Sequence, residues 1–211
     1  MIGPLYNKRW DRFWSWYFRR IIRKDFHRFE YDASFPIDPD KPLLVLANHF
    51  SWWDGWFIYR LNELLFKKRF HAMALEEMVQ ARPALRTLGV FSVKKGTRGV
   101  IESLDFANAL LENPGNMLLM FPQGGIQSIH VAALPFEKGV CRIIREAKRP
   151  LQTIFSIALV DYASQRKPMV RFHFKEYVPD DDLENGLRAA FLEHYEQAKA
   201  VQTEKLYLPF P

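Results

Sequence analysis

Apolar residues follow a helical period near the amino terminus and then form short continuous runs separated by turns. The helical period extends from Lys8 to Lys24, where aromatic and aliphatic residues recur on one side and arginines occupy the other. This spacing predicts a basic amphipathic helix. A linker rich in proline and aspartate follows, from Ser34 to Pro42. The pattern divides the chain into an N-terminal helical segment, residues 1–33, and a larger domain, residues 34–211.

Beyond the linker, apolar runs typical of buried strands alternate with helical periods. The predicted strands span residues 43–47, 70–75, 90–93, 117–121, 151–160 and 170–177. The predicted helices span residues 52–66, 77–88, 100–111, 139–147 and 183–201, the last of them capped by Asp180–Asp182. This alternation predicts an α/β fold, a single domain in which helices flank one mixed sheet. In such sheets the loops at the carboxyl ends of the strands carry the functional site.

A histidine and an aspartate lie in the loop that follows the first of these strands. His49 comes directly after the strand, and Asp54 comes five positions later, in the first turn of the next predicted helix. The loop allows Asp54 to fold back onto one imidazole nitrogen. Such a contact fixes the tautomer and raises the basicity of the other nitrogen, which can then remove a proton from an attacking hydroxyl.

The same residues also have a purely structural interpretation. Ser51 and Asp54 match a capping box, in which Asp54 would satisfy unpaired amides at the start of the helix. A histidine and an aspartate at this spacing arise often by chance, so the spacing alone is weak support for catalysis. The two roles can coexist.

A second loop of interest, Phe121–Gly125, directly follows another buried strand. Pro122 ends the strand, and the paired glycines Gly124 and Gly125 allow backbone amides to approach an anion or a developing oxyanion. A plain tight turn explains this loop nearly as well. Between the two loops, a predicted strand ends beside three cations and two glycines. The cations are Lys94, Lys95 and Arg98. They would either bind phosphate or simply be solvated.

The N-terminal helix suits a membrane surface, because aromatic rings favour the headgroup region and arginines favour anionic lipid. Packing against the core is the alternative. Trp16 favours the membrane interpretation because it projects from the otherwise basic side. The residues predicted to contact the membrane are Trp10, Arg12, Phe13, Trp14, Tyr17, Arg19, Arg20 and Arg23.

Composition narrows the possible functions. A chain that is 48% hydrophobic and 26% charged is globular, and its net charge of +6 indicates an anionic partner, such as lipid headgroups, nucleic acid or a phosphorylated substrate. The single cysteine, Cys141, excludes an internal disulfide, and no metal-binding spacing occurs. We find no signal-peptide pattern and no apolar stretch long enough to span a bilayer. The sequence therefore predicts a cytoplasmic protein.

Four sequence blocks resemble those of a known family. Asn48, His49, Ser51 and Asp54 are similar to the N-H-x-S-x-x-D motif of the lysophospholipid and glycerolipid acyltransferases, the PlsC-like family. The segments that resemble the remaining blocks, in the family's order and spacing, are Gly89–Lys95, Phe121–Gly124 and Leu134–Gly139. The resemblance covers residues 43–160.

This resemblance implies an α/β acyltransferase at the cytoplasmic face of an anionic membrane. His49 would be the general base and Asp54 its partner, with acyl-CoA or acyl-carrier protein as co-substrate, a lipid hydroxyl as acceptor and no metal or other cofactor. The residues expected to bind substrate are Asn48, Ser51, Lys94, Lys95, Arg98, Phe121, Pro122, Gln123, Gly124 and Gly125.

Departures from the family pattern concern the acceptor. Gln123 replaces the family's glutamate, Gly125 and Ile126 stand at its threonine and arginine positions, and Lys95 replaces another arginine. In the family these positions help to hold a glycerol phosphate, so we predict an acceptor without a phosphate monoester. Arg98 opposes this prediction, because a bend at Gly96 would bring it to the missing arginine's place.

Two other classes of function stay open. A catalytically inactive membrane-surface protein on the same fold would keep the basic helix but show no acyl transfer. A nucleic-acid-binding protein would explain the positive charge. However, no zinc-finger or RNA-recognition signature occurs, and the basic residues cluster in an aromatic helix, so nucleic acid is not an expected partner.

Overall fold

The computed structural model describes residues 1–32, 35–94, 96–131, 134–179 and 181–206, with only the backbone of Lys8, Thr97 and Leu206. Its strands are β1 (Arg28–Tyr31), β2 (Leu43–Ala47), β3 (Arg69–Leu75), β4 (Val90–Val93), β5 (Asn116–Met120), β6 (Gln152–Asp161) and β7 (Met169–Tyr177). Its α-helices are α1 (Lys8–Asp25), α2 (Asp54–Leu61), α3 (Glu76–Ala81), α4 (Thr97–Leu110), α5 (Gly139–Arg145) and α6 (Leu183–Leu206).

The seven strands form one sheet in the order β1-β7-β6-β2-β5-β3-β4. Strands β2 to β6 are mutually parallel, β7 is antiparallel to β6, and β1 is parallel to β7. The predicted α/β fold with a single mixed sheet is therefore confirmed. The five parallel strands all end at one edge of the sheet, which we call the carboxyl edge. The opposite edge, at which these strands begin, is the amino edge.

The sheet separates two hydrophobic cores, because successive residues of a strand face opposite sides. Leu43, Val45 and Ala47 of β2 face the core that contains the buried side chains of α1 and α2. Leu44 and Leu46 face the core formed with α4, α5 and α6. All five residues of β2 are buried, as expected for a central parallel strand. The loop after β2 thus extends from the most constrained part of the sheet.

Helix α1 both packs on the core and presents aromatic side chains to solvent. Phe18 and Ile22 are buried, and the Trp14 indole N–H donates a 2.8 Å hydrogen bond to the Thr87 hydroxyl. In contrast, Trp10, Phe13 and Trp16 are exposed. The core-packing and membrane interpretations of this helix are therefore compatible. Within the described part of the chain, no helix has the length and apolarity needed to cross a membrane.

The element predictions differ from the structure in a few places. Strand β1 was not predicted, although it lies within the proposed N-terminal segment and joins the common sheet. The boundary between residues 33 and 34 falls outside the described residues, and the division there stays a prediction. The helix predicted for residues 77–88 is interrupted after α3, because Pro83 lacks the N–H that helix continuation needs and starts a 3₁₀ segment instead.

Smaller differences occur at two helix ends. The predicted helix 52–66 begins two residues later, at Asp54, and its last turn, Asn62–Phe66, is a π-helix. Of the predicted cap of the last helix, Asp180 lies outside the described residues. Asp182 does act there, because its side chain accepts from the Asn185 backbone N–H at 3.4 Å and from the Asn185 side-chain amide at 2.9 Å.

Candidate active site

The loop after β2 is fixed to the neighbouring strand β6 by Asn48. The Asn48 side-chain amide donates to the Ala158 carbonyl at 2.9 Å, and its oxygen accepts from the Ala158 N–H at 2.8 Å. Both bonds are buried, so Asn48 acts as a peptide-like link between the strands. The predicted substrate-binding residue Asn48 thus lies beneath the site and sets where the next residue, His49, leaves the sheet.

His49 and Asp54 are in direct contact, as the spacing predicted. The His49 Nδ1 and an Asp54 carboxylate oxygen are 2.8 Å apart. Because a carboxylate only accepts hydrogen bonds, Nδ1 is the donor, and in the neutral imidazole Nε2 then carries the lone pair. No described residue forms a hydrogen bond with Nε2. The His49 side chain is 19% exposed while that of Asp54 is 2% exposed, so the pair offers one accessible basic nitrogen held by a buried acid.

Asp54 also organises the loop itself. One of its oxygens accepts from the backbone amides of Phe50 at 2.7 Å and Ser51 at 2.8 Å, and the other accepts from the Ser51 hydroxyl at 2.7 Å. The Ser51 hydroxyl in turn accepts from the Trp53 N–H at 3.1 Å. The contact with the imidazole and the bonds to the loop amides therefore coexist, because one carboxylate makes both.

Gln123 connects the second loop to the first through the main chain of His49. Its carboxamide oxygen accepts from the His49 N–H at 2.6 Å, and its nitrogen donates to the His49 carbonyl at 3.3 Å. The same carbonyl accepts from the Gln127 N–H at 2.8 Å. Gln123 is buried, so its side chain is occupied by the loop that carries His49. The sequence did not predict this role of Gln127. Its backbone N–H makes the bond, so the identity of its side chain gives no indication of it.

Phe121 forms one wall of the site. Its ring stacks on the His49 imidazole with the ring centroids 4.1 Å apart and the planes 14° apart, which fixes the orientation of the imidazole. Pro122 is buried, and its carbonyl accepts from the Glu137 N–H at 2.7 Å. This bond attaches the second loop to the segment before α5.

The two glycines of the second loop differ. Gly124 has a positive φ of 70°, and its N–H donates to the Phe121 carbonyl at 3.1 Å, so this amide is used within a turn. The positive φ favours glycine, and a Cβ at this position would also approach the Glu137 side chain to 3.0 Å. The Gly125 N–H has no hydrogen-bond partner among the described residues. Of the two, Gly125 is the one available to a ligand.

The predicted cations lie apart from this centre. Lys94 follows β4 and Arg98 lies in the first turn of α4; both are exposed, while Lys95 falls outside the described residues. Because β5 and β3 lie between β2 and β4, three strand spacings separate Lys94 from the end of β2, about 14 Å. The structure therefore brings together His49, Asp54, Ser51, Phe121 and Gln123, whereas the two described cations follow a strand that lies three positions away in the sheet.

Other candidate chemistry is not supported by the described residues. Burial raises the pKa of the Cys141 thiol, which disfavours the nucleophilic thiolate. Burial also lowers the pKa of His173 and His194, and lowers that of His71 to about 4. Across the described ranges, no cluster of histidine, cysteine or acidic side chains could hold a metal ion.

Two cavities occur elsewhere on the molecule. One of about 550 Å³ lies between the start of α1 and the end of α2, lined by Tyr6, Asp11 and Arg69 among others. One of about 320 Å³ lies between α6 and strands β1 and β7. Neither cavity is lined by His49 or Asp54. His49 lies at the carboxyl edge, away from both of these cavities.

Comparison with known proteins is consistent with this geometry. The family model described as acyltransferase matches residues 28–157, a range that contains both site loops. No curated protein sequence matches the chain. The fold is similar to the crystal structure of PlsC, the 1-acyl-sn-glycerophosphate (LPA) acyltransferase from Thermotoga maritima, with a TM-score of 0.60 and 18% sequence identity. That match covers 89% of this chain and 78% of the other.

Proposed function

This chain belongs to the acyltransferase family, and we propose that it moves a fatty acyl chain from an acyl thioester onto a lipid hydroxyl. The observation that carries the proposal is the 2.8 Å contact between His49 Nδ1 and Asp54, which leaves His49 Nε2 as an accessible base at the carboxyl edge. The donor would be acyl-CoA or acyl-carrier protein, since either presents the thioester. The reaction uses no cofactor.

The reaction is direct transfer. His49 Nε2 removes the proton of the acceptor hydroxyl while the hydroxyl oxygen attacks the thioester carbonyl carbon. The carbon–sulfur bond then breaks, and the leaving thiolate takes the proton from the His49 imidazolium. The Asp54 carboxylate stabilises the imidazolium between these steps, and the Gly125 N–H is the candidate donor to the oxyanion. The sequence lacks a G-x-S-x-G nucleophile, and Cys141 is buried, so a covalent acyl-enzyme is not part of this scheme.

The test is an assay of the purified protein with acyl-CoA or acyl-carrier protein and a panel of lysolipids, with the products identified by mass spectrometry. Formation of a new ester on a lipid hydroxyl supports the proposal. Absence of transfer from both donors to every acceptor would favour the alternative function, a catalytically inactive membrane-surface protein. The contact of Asp54 with the imidazole favours the enzyme, because an aspartate that served only the loop amides would have no need of it.

We expect lysophosphatidate to be a poor acceptor. The buried Gln123 bonds the His49 main chain, and Gly125 and Ile126 carry no charge. Strand β4, which precedes Lys94, lies three strand spacings from β2, about 14 Å. A phosphate monoester that lacks a charge-assisted hydrogen bond loses about 1.5–3 kcal/mol of binding. We therefore expect kcat/KM for lysophosphatidate to be about tenfold or more below that for a lysolipid without a phosphate monoester.

Steady-state kinetics with one donor and both acceptors measures this ratio. A preference for lysophosphatidate would contradict the prediction and indicate that Arg98 approaches the headgroup. The Arg98→Gln variant separates these cases, because it would reduce kcat/KM for lysophosphatidate alone if Arg98 contacts the phosphate.

We further propose that α1 attaches the protein to the cytoplasmic face of an anionic membrane. Its exposed side chains combine the aromatic residues Trp10, Phe13 and Trp16 with arginines, a combination suited to the headgroup region. Trp14 and Tyr17, also predicted to contact the membrane, are partly buried against the core. The attachment therefore relies on the outward side of the helix.

Replacing Arg12, Arg19, Arg20 and Arg23 by glutamine should weaken binding to anionic liposomes by roughly 1 kcal/mol per charge, because each arginine near the surface is attracted to anionic lipid. Liposome sedimentation measures the change, which should shrink at high salt. Arg188→Gln, an exposed arginine of α6, is the control and should have little effect. Unchanged binding of the fourfold variant at low ionic strength would show that α1 serves only the core.

A further inference from the structure

We propose that the larger cavity, about 550 Å³, binds a small soluble phosphate monoester that also carries an amine, an aminoalkyl phosphate. The cavity lies between the start of α1, the end of α2 and the start of β3. Because Arg69 is the first residue of β3, the cavity is at the amino edge of the sheet. His49 follows β2 at the opposite edge, so this site is separate from the candidate active site and does not depend on the proposed function.

Two cations of the cavity wall have no partner of opposite charge. Lys67 and Arg69 are exposed, and neither lies within ion-pair distance of a carboxylate among the described residues. The Arg69 guanidinium lies over the Tyr6 ring, 3.7 Å from its centroid. This contact uses the face of the guanidinium and orients its plane, while the N–H donors lie at its edges. A guanidinium oriented in this way can bind two oxygens of one phosphate group.

Two other charged side chains of the wall are already bonded within the protein. The Lys68 ammonium donates to three backbone carbonyls at 2.8–3.0 Å, and Glu63 pairs with an arginine of α2 at 2.9 Å. These bonds hold the end of α2 against the neighbouring loops. Of the charged side chains that line the cavity in the described part of the chain, Lys67, Arg69 and Asp11 are therefore left for a ligand.

The backbone that presents Lys67 is unusual. The π-helical turn Asn62–Phe66 ends at Lys67, whose φ of 54° lies in the left-handed region. The buried Asn62 side chain fixes this turn, because its amide donates to the Lys68 carbonyl at 2.7 Å and its oxygen accepts from the Lys68 N–H at 3.0 Å. Both π-helical turns and strained non-glycine residues concentrate at functional sites. A lysine where glycine would be unstrained favours a role for its charge.

Asp11 supplies the negative charge that is left for a ligand. One of its carboxylate oxygens accepts from the Tyr59 hydroxyl at 2.6 Å, and the other has no hydrogen bond among the described residues. Burial raises the pKa of Tyr59, so the phenol keeps its proton and stays a donor to Asp11. No cation of the described ranges forms an ion pair with Asp11. The carboxylate is thus held by an uncharged group, and its charge is not balanced within the protein.

These unbalanced charges match one class of ligand. A phosphate monoester carries nearly two negative charges near pH 7, which Lys67 and Arg69 balance, and an ammonium group balances Asp11. A phosphodiester, the form of phosphate in many lipid headgroups, carries only one negative charge. The cavity volume of about 550 Å³ is within the range of small-molecule sites. The site therefore fits a soluble aminoalkyl phosphate better than a lipid headgroup.

Isothermal titration calorimetry with O-phosphoethanolamine tests the site. Inorganic phosphate and the diester glycerophosphoethanolamine are the comparison ligands, and we expect both to bind more weakly at physiological ionic strength. Arg69→Gln and Lys67→Gly should each raise the Kd of O-phosphoethanolamine about tenfold or more, because each removes a charge-assisted bond. Glycine adopts the left-handed conformation without strain, so Lys67→Gly should fold as well as the parent. Arg188→Gln, at an exposed arginine of α6, is the control and should leave the Kd unchanged.

Asp11→Asn separates the two ends of the ligand. It should weaken binding of O-phosphoethanolamine but not of inorganic phosphate, and the asparagine oxygen can still accept from the Tyr59 hydroxyl.

Three results would overturn the assignment: no binding of any of the three compounds, tighter binding of the diester than of the monoester, or an equal loss of binding in Arg188→Gln. Thermal unfolding without ligand checks that each variant is folded. If Arg69→Gln unfolds at a lower temperature than the parent, Lys67→Gly decides. Because the readout is binding, absence of acyl transfer would contradict the proposed function and leave this site unaffected.

Discussion

Replacing His49 by alanine should lower kcat of acyl transfer by about 10²–10⁴-fold, the range contributed by a general base. The fold should be retained, because His49 is a loop residue and the loop is held by bonds that do not involve the imidazole. These are the bonds from Asp54 to the amides of Phe50 and Ser51, and those from Gln123 to the His49 main chain. The free energy of unfolding should change by about 1 kcal/mol or less, mostly from the lost stacking on Phe121.

Initial rates with saturating donor and acceptor measure the first effect, and urea unfolding measures the second. The control is His130→Ala, an exposed histidine in the segment after the second loop, which should leave both quantities unchanged. Activity of the His49 variant near the parental level would remove the proposed base. A large loss of stability would instead assign His49 to the fold.

Asp54→Asn should lower kcat by about 10²–10⁴-fold, because an amide cannot stabilise the imidazolium that forms during the reaction. In free-energy terms, the loss of stability should be smaller than the increase in the activation barrier of acyl transfer. The asparagine oxygen can still accept from the Phe50 and Ser51 amides, and its nitrogen can donate to the Ser51 hydroxyl, so the loop keeps neutral versions of its bonds. The lost charge assistance should cost about 1–3 kcal/mol of unfolding free energy.

Kinetics and urea unfolding of the same preparation separate the two effects. Asp40→Asn, at an exposed aspartate of the linker, serves as the control for the substitution itself. A variant that unfolds at the parental denaturant concentration and is fully active would contradict both roles of Asp54. Loss of stability without loss of rate in the folded fraction would leave Asp54 with a structural role only.

Most of the sheet could be predicted from the sequence because its strands are buried on both faces. Continuous apolar runs predicted β2 and β4 with correct bounds, and the contact of His49 with Asp54 followed because both residues belong to one short loop. Strand β1 escaped prediction because its four residues, half of them exposed, form no apolar run. It becomes a strand only through pairing with β7.

The positions of the cations could not be predicted, since strand order is a property of the whole sheet. In the sequence, Lys94 lies between the two site loops and therefore looks close to both. In the structure β4 is the outermost strand on its side, so Lys94 is three strands from β2. Nor does a sequence show that Gln123 is buried against the His49 main chain, because a glutamine side chain is as readily exposed as buried.

The links that hold His49 join parts of the chain made at very different times during synthesis. Its contact with Asp54 spans five positions, but Gln123 lies 74 positions away, and Ala158 lies 110 positions after Asn48. A nascent chain can thus form the histidine–aspartate pair early, yet it lacks the groups that fix the pair until β6 has left the ribosome. Because such distant contacts form only with the completed sheet, the onset of acyl transfer should report the end of folding rather than the synthesis of the loop that carries His49.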